Sequence, residues 1–90
     1  MLKVQWTSKF KKDYKHCINC GLDINKLDEV IRLLANKQEL PIKYKDHKLK
    51  GDYDNFRELH VEPDWLLIYS IDNKILTLTL IRTGSHTNLF

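Results

Sequence analysis

Cysteine is scarce in this chain of 90 residues: the two copies, Cys17 and Cys20, form a single C-x-x-C pair. A second pair that would complete a zinc site is missing, and only His16 lies close by in sequence. A thioredoxin-type pair follows a strand and opens a helix, whereas this pair falls near the end of a predicted helix. We therefore interpret both residues as reduced thiols without a zinc or redox role.

Long apolar runs are also missing. No stretch approaches the roughly 20 residues needed to cross a bilayer, and residues 1–6 lack the apolar core and cleavage site of a signal peptide. With 42% hydrophobic and 30% charged residues, the composition is typical of a soluble globular protein and not of a disordered one. We expect one domain, residues 1–90, located in the cytoplasm without a membrane partner.

Positive charge is in small excess, with a net charge of +3 and a sequence pI of about 8.9, which permits a polyanionic partner without requiring one. The lysines are clustered in two short segments, which contain Lys9, Lys11, Lys12 and Lys15, and Lys43, Lys45, Lys48 and Lys50. Such clusters are usually solvated faces. Their position on either side of a histidine-rich region favours contact with phosphates.

Helical spacing predicts two helices in the first half of the chain, after a short strand over residues 2–6. Thr7 or Ser8 caps the first helix, which starts near Lys9 and ends at Gly21. Asp23 caps the second helix, which ends at the Leu40-Pro41 pair. The apolar stripes of the two helices consist of Phe10, Tyr14, Cys17 and Ile18, and of Ile24, Leu27, Val30, Ile31 and Leu34.

Strand patterns predict a sheet in the second half. A short edge strand within residues 43–50 is followed by a turn, a strand from Phe56, a Pro63-Asp64 turn and a strand over residues 65–71. The strand over 65–71 is apolar on both faces and should be central, and residues 75–81 alternate before the chain leaves the sheet at Arg82. The order β-α-α-β-β-β-β predicts an α+β domain in which a helical hairpin packs on a mostly antiparallel sheet of four or five strands.

Three of the four histidines lie in this sheet-forming half, together with a carboxylate and a guanidinium; the five residues are His47, His60, Asp64, Arg82 and His86. RNA carries its own nucleophile, the 2′-hydroxyl, so its cleavage needs a base, an acid and positive charge near the phosphate. Histidine suits the first two tasks near neutral pH, and arginine suits the third because its fork matches two phosphate oxygens. The pattern therefore predicts a surface that acts on RNA or binds an anion.

Other interpretations of the same residues stay open. A histidine in a strand or an aspartate in a turn is more often structural than catalytic, and Arg82 at the end of a strand can simply be solvated. A zinc site built from His47, His60 and His86 would make the protein a metal-dependent hydrolase, although no H-E-x-x-H helix supports it.

Three segments in order carry a closer resemblance. The sequences YKDHKLKG over residues 44–51, RELHVEPDWLLIY over 57–69 and RTGSH over 82–86 resemble the YafQ branch of the RelE toxin superfamily. The resemblance implies a toxin of a type II toxin–antitoxin pair, an endoribonuclease that cuts messenger RNA in the ribosomal A site without a metal or other cofactor. Carried over by motif, His47, His60, Asp64, Arg82 and His86 are catalytic, and Phe90 stacks on a base.

The resemblance also implies partners. They are the ribosome with its messenger RNA and a cognate antitoxin, of the DinJ or RelB kind, whose ribbon-helix-helix dimer binds operator DNA on behalf of the complex. The lysines expected to contact RNA are Lys9, Lys11, Lys12, Lys15, Lys48 and Lys50. The alternative is a non-catalytic RelE-like module that binds RNA, the ribosome or its antitoxin.

Overall fold

A mixed sheet of five strands with two helices on one face makes up the computed structural model of the chain, which describes residues 1–49 and 55–89. The elements in chain order are β1 (Lys3–Trp6), α1 (Ser8–Asn19), α2 (Ile24–Ala35), a 3-10 turn (Ile42–Tyr44), β2 (His47–Lys48), β3 (Arg57–Glu62), β4 (Trp65–Asp72), β5 (Thr77–Gly84) and α3 (His86–Leu89). The strand order is β1-β5-β4-β3-β2, with β1 parallel to β5 and the other pairs antiparallel. The predicted α+β architecture and the central position of β4 are confirmed.

Local signals place both helix starts and the end of α1. The Thr7 hydroxyl accepts a hydrogen bond from the Phe10 amide at 3.1 Å, and the Asp23 carboxylate accepts one from the Asn25 amide at 3.1 Å. Gly21 has a φ of 80°, and the next amide, that of Leu22, returns to the Cys17 carbonyl at 3.1 Å. This left-handed residue closes α1 as the sequence predicts.

The end of α2 differs from the prediction. The helix stops at Ala35 and not at the Leu40-Pro41 pair, because Lys37 takes a left-handed conformation with a φ of 55°. The Gln38 amide then donates to the Leu33 carbonyl at 3.0 Å, which satisfies a carbonyl that the helix leaves open. A lysine in this conformation has no sequence signal comparable to that of a glycine.

The core lies between the helices and one face of the sheet. Its helical side consists of Phe10, Cys17, Leu27, Val30, Ile31, Leu34 and Ala35, and its sheet side of Leu59, Val61, Trp65, Leu67, Tyr69, Leu78 and Leu80. Ile18, predicted to belong to the stripe of α1, is instead 48% exposed at the end of that helix. Within the part of the chain that the structure describes, none of the helices is long and apolar enough to span a bilayer.

The last strand is shifted relative to the prediction. The turn after β4 is longer, because the Asp72 carboxylate accepts hydrogen bonds from the Lys74 and Ile75 amides and Leu76 adopts a φ of 51°. Strand β5 therefore begins at Thr77, and it continues through Arg82 to Gly84. The expectation that the chain leaves the sheet at Arg82 is wrong.

One extra residue in β5 changes which way its second half faces. Tyr69 pairs with Leu80, but the preceding residue of β4, Ile68, pairs with Arg82, so Ile81 has no partner on β4. Such a bulge reverses the alternation of side chains beyond it. Arg82 thereby shares a face with Ile68, opposite to the face on which Leu80 packs against the helices.

Candidate active site

A row of side chains crosses four strands on the face of the sheet that the two long helices leave uncovered. His47 on β2 pairs with Glu58 on β3, Glu58 pairs with Ile68 on β4, and Ile68 pairs with Arg82 on β5. His60 lies two residues from Glu58 on β3 and therefore projects from the same face. Strand pairing thus brings His47, His60 and Arg82 to one surface, with the two ends of the row about 14 Å apart at three strand spacings.

Glu58 lies between the two histidines. Its Oε1 atom is 3.6 Å from Nε2 of His47 and 3.7 Å from Nε2 of His60, and the two imidazole rings are 6.3 Å apart between centroids. The Glu58 side chain is only 9% exposed, whereas that of His47 is 51% exposed and that of His60 is 25% exposed. A buried carboxylate therefore faces the Nε2 atom of both imidazoles.

The hydrogen bonds of the other ring nitrogens identify the tautomers. Nδ1 of His47 lies 2.8 Å from the Lys45 carbonyl, and Nδ1 of His60 lies 3.2 Å from the Pro63 carbonyl. Because a carbonyl oxygen only accepts, each Nδ1 must carry the hydrogen. In the neutral ring the lone pair is then on Nε2, beside Glu58, where it can accept a proton from a bound hydroxyl.

A second carboxylate, Asp46, anchors the segment that carries His47. It accepts hydrogen bonds from the Tyr69 hydroxyl and from Arg57, at 2.8 Å from Nη2 and 3.4 Å from Nε. Burial, as the larger cause, and the hydrogen bond to Asp46 raise the pKa of Tyr69 far above its usual value. The same carboxylate raises the pKa of the Arg57 guanidinium. This network ties the short strand β2 to the centre of the sheet.

Arg82 is held from the side by helix α1. Its Nε donates to Asp13 Oδ2 at 2.6 Å and its Nη2 donates to Asp13 Oδ1 at 3.2 Å, while the Thr83 amide also donates to Oδ2 at 3.2 Å. The bond to Asp13 raises the pKa of the guanidinium, so Arg82 keeps its positive charge at every relevant pH.

Asp64 and His86 lie at the margin of this surface. Asp64 is exposed in the predicted turn between β3 and β4, and His86 is exposed at the start of α3 directly after β5. A cleft of about 440 Å³ is lined by residues that include Asp64, Cys20 and Ser85, the residue before His86. Both cysteines are free thiols, and burial raises the pKa of Cys17.

The predicted RNA-binding lysines that the structure describes are all exposed. Lys9, Lys11, Lys12 and Lys15 lie along α1, and Lys48 lies on β2. Lys50 and Phe90, the other two predicted RNA contacts, lie outside the described residues. In residues 1–49 and 55–89, no three side chains of His, Cys, Asp or Glu are arranged to hold a metal ion.

Two residues of the surface were missed by the sequence interpretation. Glu58 is a charged residue at a polar position of an alternating strand, a pattern that ordinarily marks solvent exposure. Asp13 is one acidic residue among the lysines of α1 and lies 69 residues from Arg82. The pairing of Glu58 with His47 was detectable only with the strand register, and that of Asp13 only with the packing of α1.

Comparison with known proteins places the chain in a family. A family described as "Bacterial toxin of type II toxin-antitoxin system, YafQ" matches residues 2–90. The mRNA interferase toxin YafQ of Escherichia coli strain K12 is 41% identical over 88 residues, which cover 97% of this chain and 94% of the relative.

Solved structures agree with this match. A metal-bound toxin from Helicobacter pylori superposes with a TM-score of 0.94 at 47% identity, covering all of both chains. YafQ in the E. coli DinJ-YafQ complex superposes with a TM-score of 0.91 at 38% identity, covering 100% of this chain and 99% of that one. The chain therefore belongs to the YafQ family of bacterial toxins of type II toxin–antitoxin systems.

Proposed function

We propose that this toxin is an endoribonuclease that enters the ribosomal A site and cuts the messenger RNA there by metal-independent acid–base catalysis, and so inhibits translation. The observation that carries the proposal is the pair of imidazole Nε2 atoms at 3.6 and 3.7 Å from the buried Glu58 carboxylate, on the face that Arg82 shares. The name of the E. coli relative, an mRNA interferase, supports the same reaction.

His60 is the proposed general base. Its Nδ1 hydrogen is held by the Pro63 carbonyl, so Nε2 is the atom that takes the proton of the 2′-hydroxyl. The imidazolium that forms is stabilised by Glu58, and His47 shares that carboxylate on its other side. We prefer His60 to Asp64 because Asp64 is exposed in a turn, where no hydrogen bond or ion pair within residues 1–49 and 55–89 orients its carboxylate.

Arg82 and His86 are proposed to act on the phosphate. The guanidinium stabilises the negative charge that develops on the phosphorane-like transition state, and His86 protonates the 5′-oxygen as it leaves. The products are then a 2′,3′-cyclic phosphate and a free 5′-hydroxyl. Phe90 is proposed to stack on a base, and the exposed lysines of α1 and β2 to contact ribosomal RNA.

The proposed protein partner is a cognate antitoxin. The support is that E. coli YafQ, a relative of the same fold, forms a complex with DinJ. We propose that a DinJ-like antitoxin binds this chain, and that operator DNA is contacted only through the antitoxin in that complex. Residence in the cytoplasm, beside the ribosomes, follows from the proposed substrate.

The test is cleavage of a defined messenger RNA, with and without programmed ribosomes and with EDTA present, followed by mapping of the new ends. We expect cuts within the A-site codon that need the ribosome, tolerate EDTA and leave a cyclic phosphate. His60→Gln and His86→Gln should each slow cleavage by at least about 100-fold, the range of general acid–base catalysis. His16→Gln alters the one histidine outside the proposed site and should not slow it.

Two other outcomes would contradict the proposal. Tight binding to ribosomes without any cut would establish the non-catalytic module instead. Cleavage that EDTA abolishes and a divalent metal restores would establish a metal-dependent nuclease.

A further inference from the structure

Helix α1 contributes one carboxylate to the surface through its contact with Arg82. Asp13 is the one acidic residue of the helix, which otherwise carries four lysines and a histidine. Lys9 lies one turn away, the spacing at which helical ion pairs form. Yet the ion pair of Asp13 within the described residues is made with Arg82, near the C-terminal end of β5.

The contact sits where β1 stops pairing with β5. Pairing between these strands ends at Trp6 and Leu80, and the Thr7 hydroxyl then donates to the Leu80 carbonyl at 2.9 Å. Beyond that point none of the described strands pairs with β5 on the β1 side, and the Thr83 amide donates to Asp13 instead. Asp13 thus supplies the acceptor that a paired strand would provide to the Thr83 amide, and it fixes the backbone on the C-terminal side of Arg82.

The geometry of the pair leaves most of the guanidinium available. An arginine side chain has five N–H donors, and Asp13 accepts from two of them, one on Nε and one on Nη2. Both hydrogens of Nη1 and the second hydrogen of Nη2 remain, and together they form the end-on fork that matches two phosphate oxygens. In the part of the chain that the structure describes, Arg82 makes no other side-chain hydrogen bond through Nη1 or Nη2.

We propose that Asp13 is a positioning residue for the nuclease reaction. By holding Nε and one hydrogen of Nη2, it orients the Arg82 guanidinium so that the remaining hydrogens of Nη1 and Nη2 face the scissile phosphate. This inference rests on the proposed function. The Asp13 side chain is 16% exposed and that of Arg82 is 32% exposed, so the pair is sheltered but the guanidinium still reaches solvent. The bulge at Ile81 turns Arg82 onto the site face, and Asp13 then sets the orientation of its terminal group.

The test is a double-mutant cycle of Asp13→Asn and Arg82→Ala, with kcat and KM measured for cleavage on programmed ribosomes. Asparagine keeps an oxygen for the Thr83 amide but loses the charge and one acceptor for Arg82. We expect Asp13→Asn to lower kcat about tenfold, as a misplaced catalytic group does, with little change in KM. In the Arg82→Ala background the same substitution should change kcat less than twofold.

The chain offers a matched control. Glu29 holds Arg32 through the same two nitrogens, at 3.1 Å from Nε and 2.6 Å from Nη2, but on the exposed side of α2. Glu29→Gln removes an equal charge from an equivalent pair and should leave kcat unchanged. A readout independent of activity is the ¹⁵N signal of the Arg82 Nε–H. We expect its hydrogen bond to Asp13 to slow its exchange with water, so the signal should broaden or vanish in Asp13→Asn.

The outcomes separate the two proposals. Wild-type protein that cuts no RNA overturns the proposed function, and the inference with it. Wild-type protein that cuts RNA, with Asp13→Asn equally fast or slowed by the same factor with and without Arg82, overturns the inference alone. If the Asn variant shows no cooperative thermal unfolding transition, Asp13→Glu replaces it in the same cycle, because it keeps the charge but shifts its position by one methylene. It should then lower kcat with Arg82 present and change it less than twofold in the Arg82→Ala background.

Discussion

Replacing Tyr69 with phenylalanine should loosen the anchor of β2 without leaving a cavity. Tyr69 is 1% exposed, and its hydroxyl donates to Asp46, the residue just before His47. A hydrogen bond to a charged acceptor contributes about 1.5–3 kcal/mol. Because the Asp46 side chain is 24% exposed, water recovers part of this, and we expect a loss of about 1–2 kcal/mol in the free energy of unfolding. For a domain of this size that loss lowers the midpoint of thermal unfolding by about 5–15 °C.

The pH dependence gives the same substitution a second signature. The pKa of Tyr69 is raised in the folded protein, through burial and through its bond to Asp46, while in the unfolded chain it is about 10. The stability linked to this proton is fully present below pH 10 and is lost as pH rises above it, because the unfolded chain then releases the proton more easily. Tyr69→Phe removes this component, so its stability should fall less steeply than that of the wild type above pH 10.

The assay is urea denaturation at pH 7 and at a series of values above pH 10, with Tyr14→Phe as the control. Tyr14 also donates to a carboxylate, Asp28, at 2.9 Å, but Tyr14 is half-buried and this hydrogen bond is exposed to solvent. Burial and Asp28 raise the pKa of Tyr14 to about 12, and its removal should cost less than about 0.5 kcal/mol at pH 7. Equal unfolding free energies for the two variants, or a Tyr69→Phe variant that keeps the full alkaline slope of the wild type, would contradict this role of Tyr69.

Three further changes test the packing and the charged surface. Phe10→Ala should cost about 3–5 kcal/mol in denaturant unfolding, because the ring is fully buried between α1 and the sheet; a loss below 1 kcal/mol would contradict its place in the core. Trp65→Phe removes the indole N–H that donates to the Thr83 hydroxyl at 3.0 Å in a buried site, and should cost about 1–3 kcal/mol in the same assay. Replacement of Lys9, Lys11 and Lys12 by glutamine should weaken the salt dependence of ribosome binding. The slope of the logarithm of the binding constant against the logarithm of the salt concentration should be smaller in magnitude by about 2–3. The same change at three other exposed lysines, Lys3, Lys37 and Lys74, should leave that slope unchanged.

Most of the fold could be predicted because its signals are local. Thr7, Asp23 and Gly21 mark helix ends through contacts with residues at most four or five positions away, and a Pro63-Asp64 turn between two apolar runs defines a hairpin. The two wrongly predicted element ends depend on left-handed backbone conformations at residue types that rarely adopt them. The left-handed Lys37 ended α2 early, and the left-handed Leu76 delayed β5.

The candidate site shows a similar division. Motifs were enough to nominate His47, His60 and Arg82, and strand pairing does bring them to one face. The simple alternation of β5 would have turned Arg82 toward the helices beside Leu78 and Leu80, and only the unpaired Ile81 prevents this. Glu58 and Asp13, the partners of these motif residues, are brought to them by strand register and by packing between distant segments. A single sequence does not contain that information. The roles of the motif residues stay a prediction.

The parallel pairing of β1 with β5 has a consequence for the order in which the protein is made. Strand β1 is made before the other described strands but pairs with β5, the last of them in the sequence, with Lys3 opposite Thr77 and the Thr7 hydroxyl bonded to a carbonyl 73 residues away. Contacts this distant along the chain form late, since the intervening segment must be complete and closed before they stabilise anything. A nascent chain therefore cannot close its sheet or pair Asp13 with Arg82 while its last strand is still inside the ribosome. The surface that carries Arg82 is therefore completed only after β5 has emerged from the ribosome.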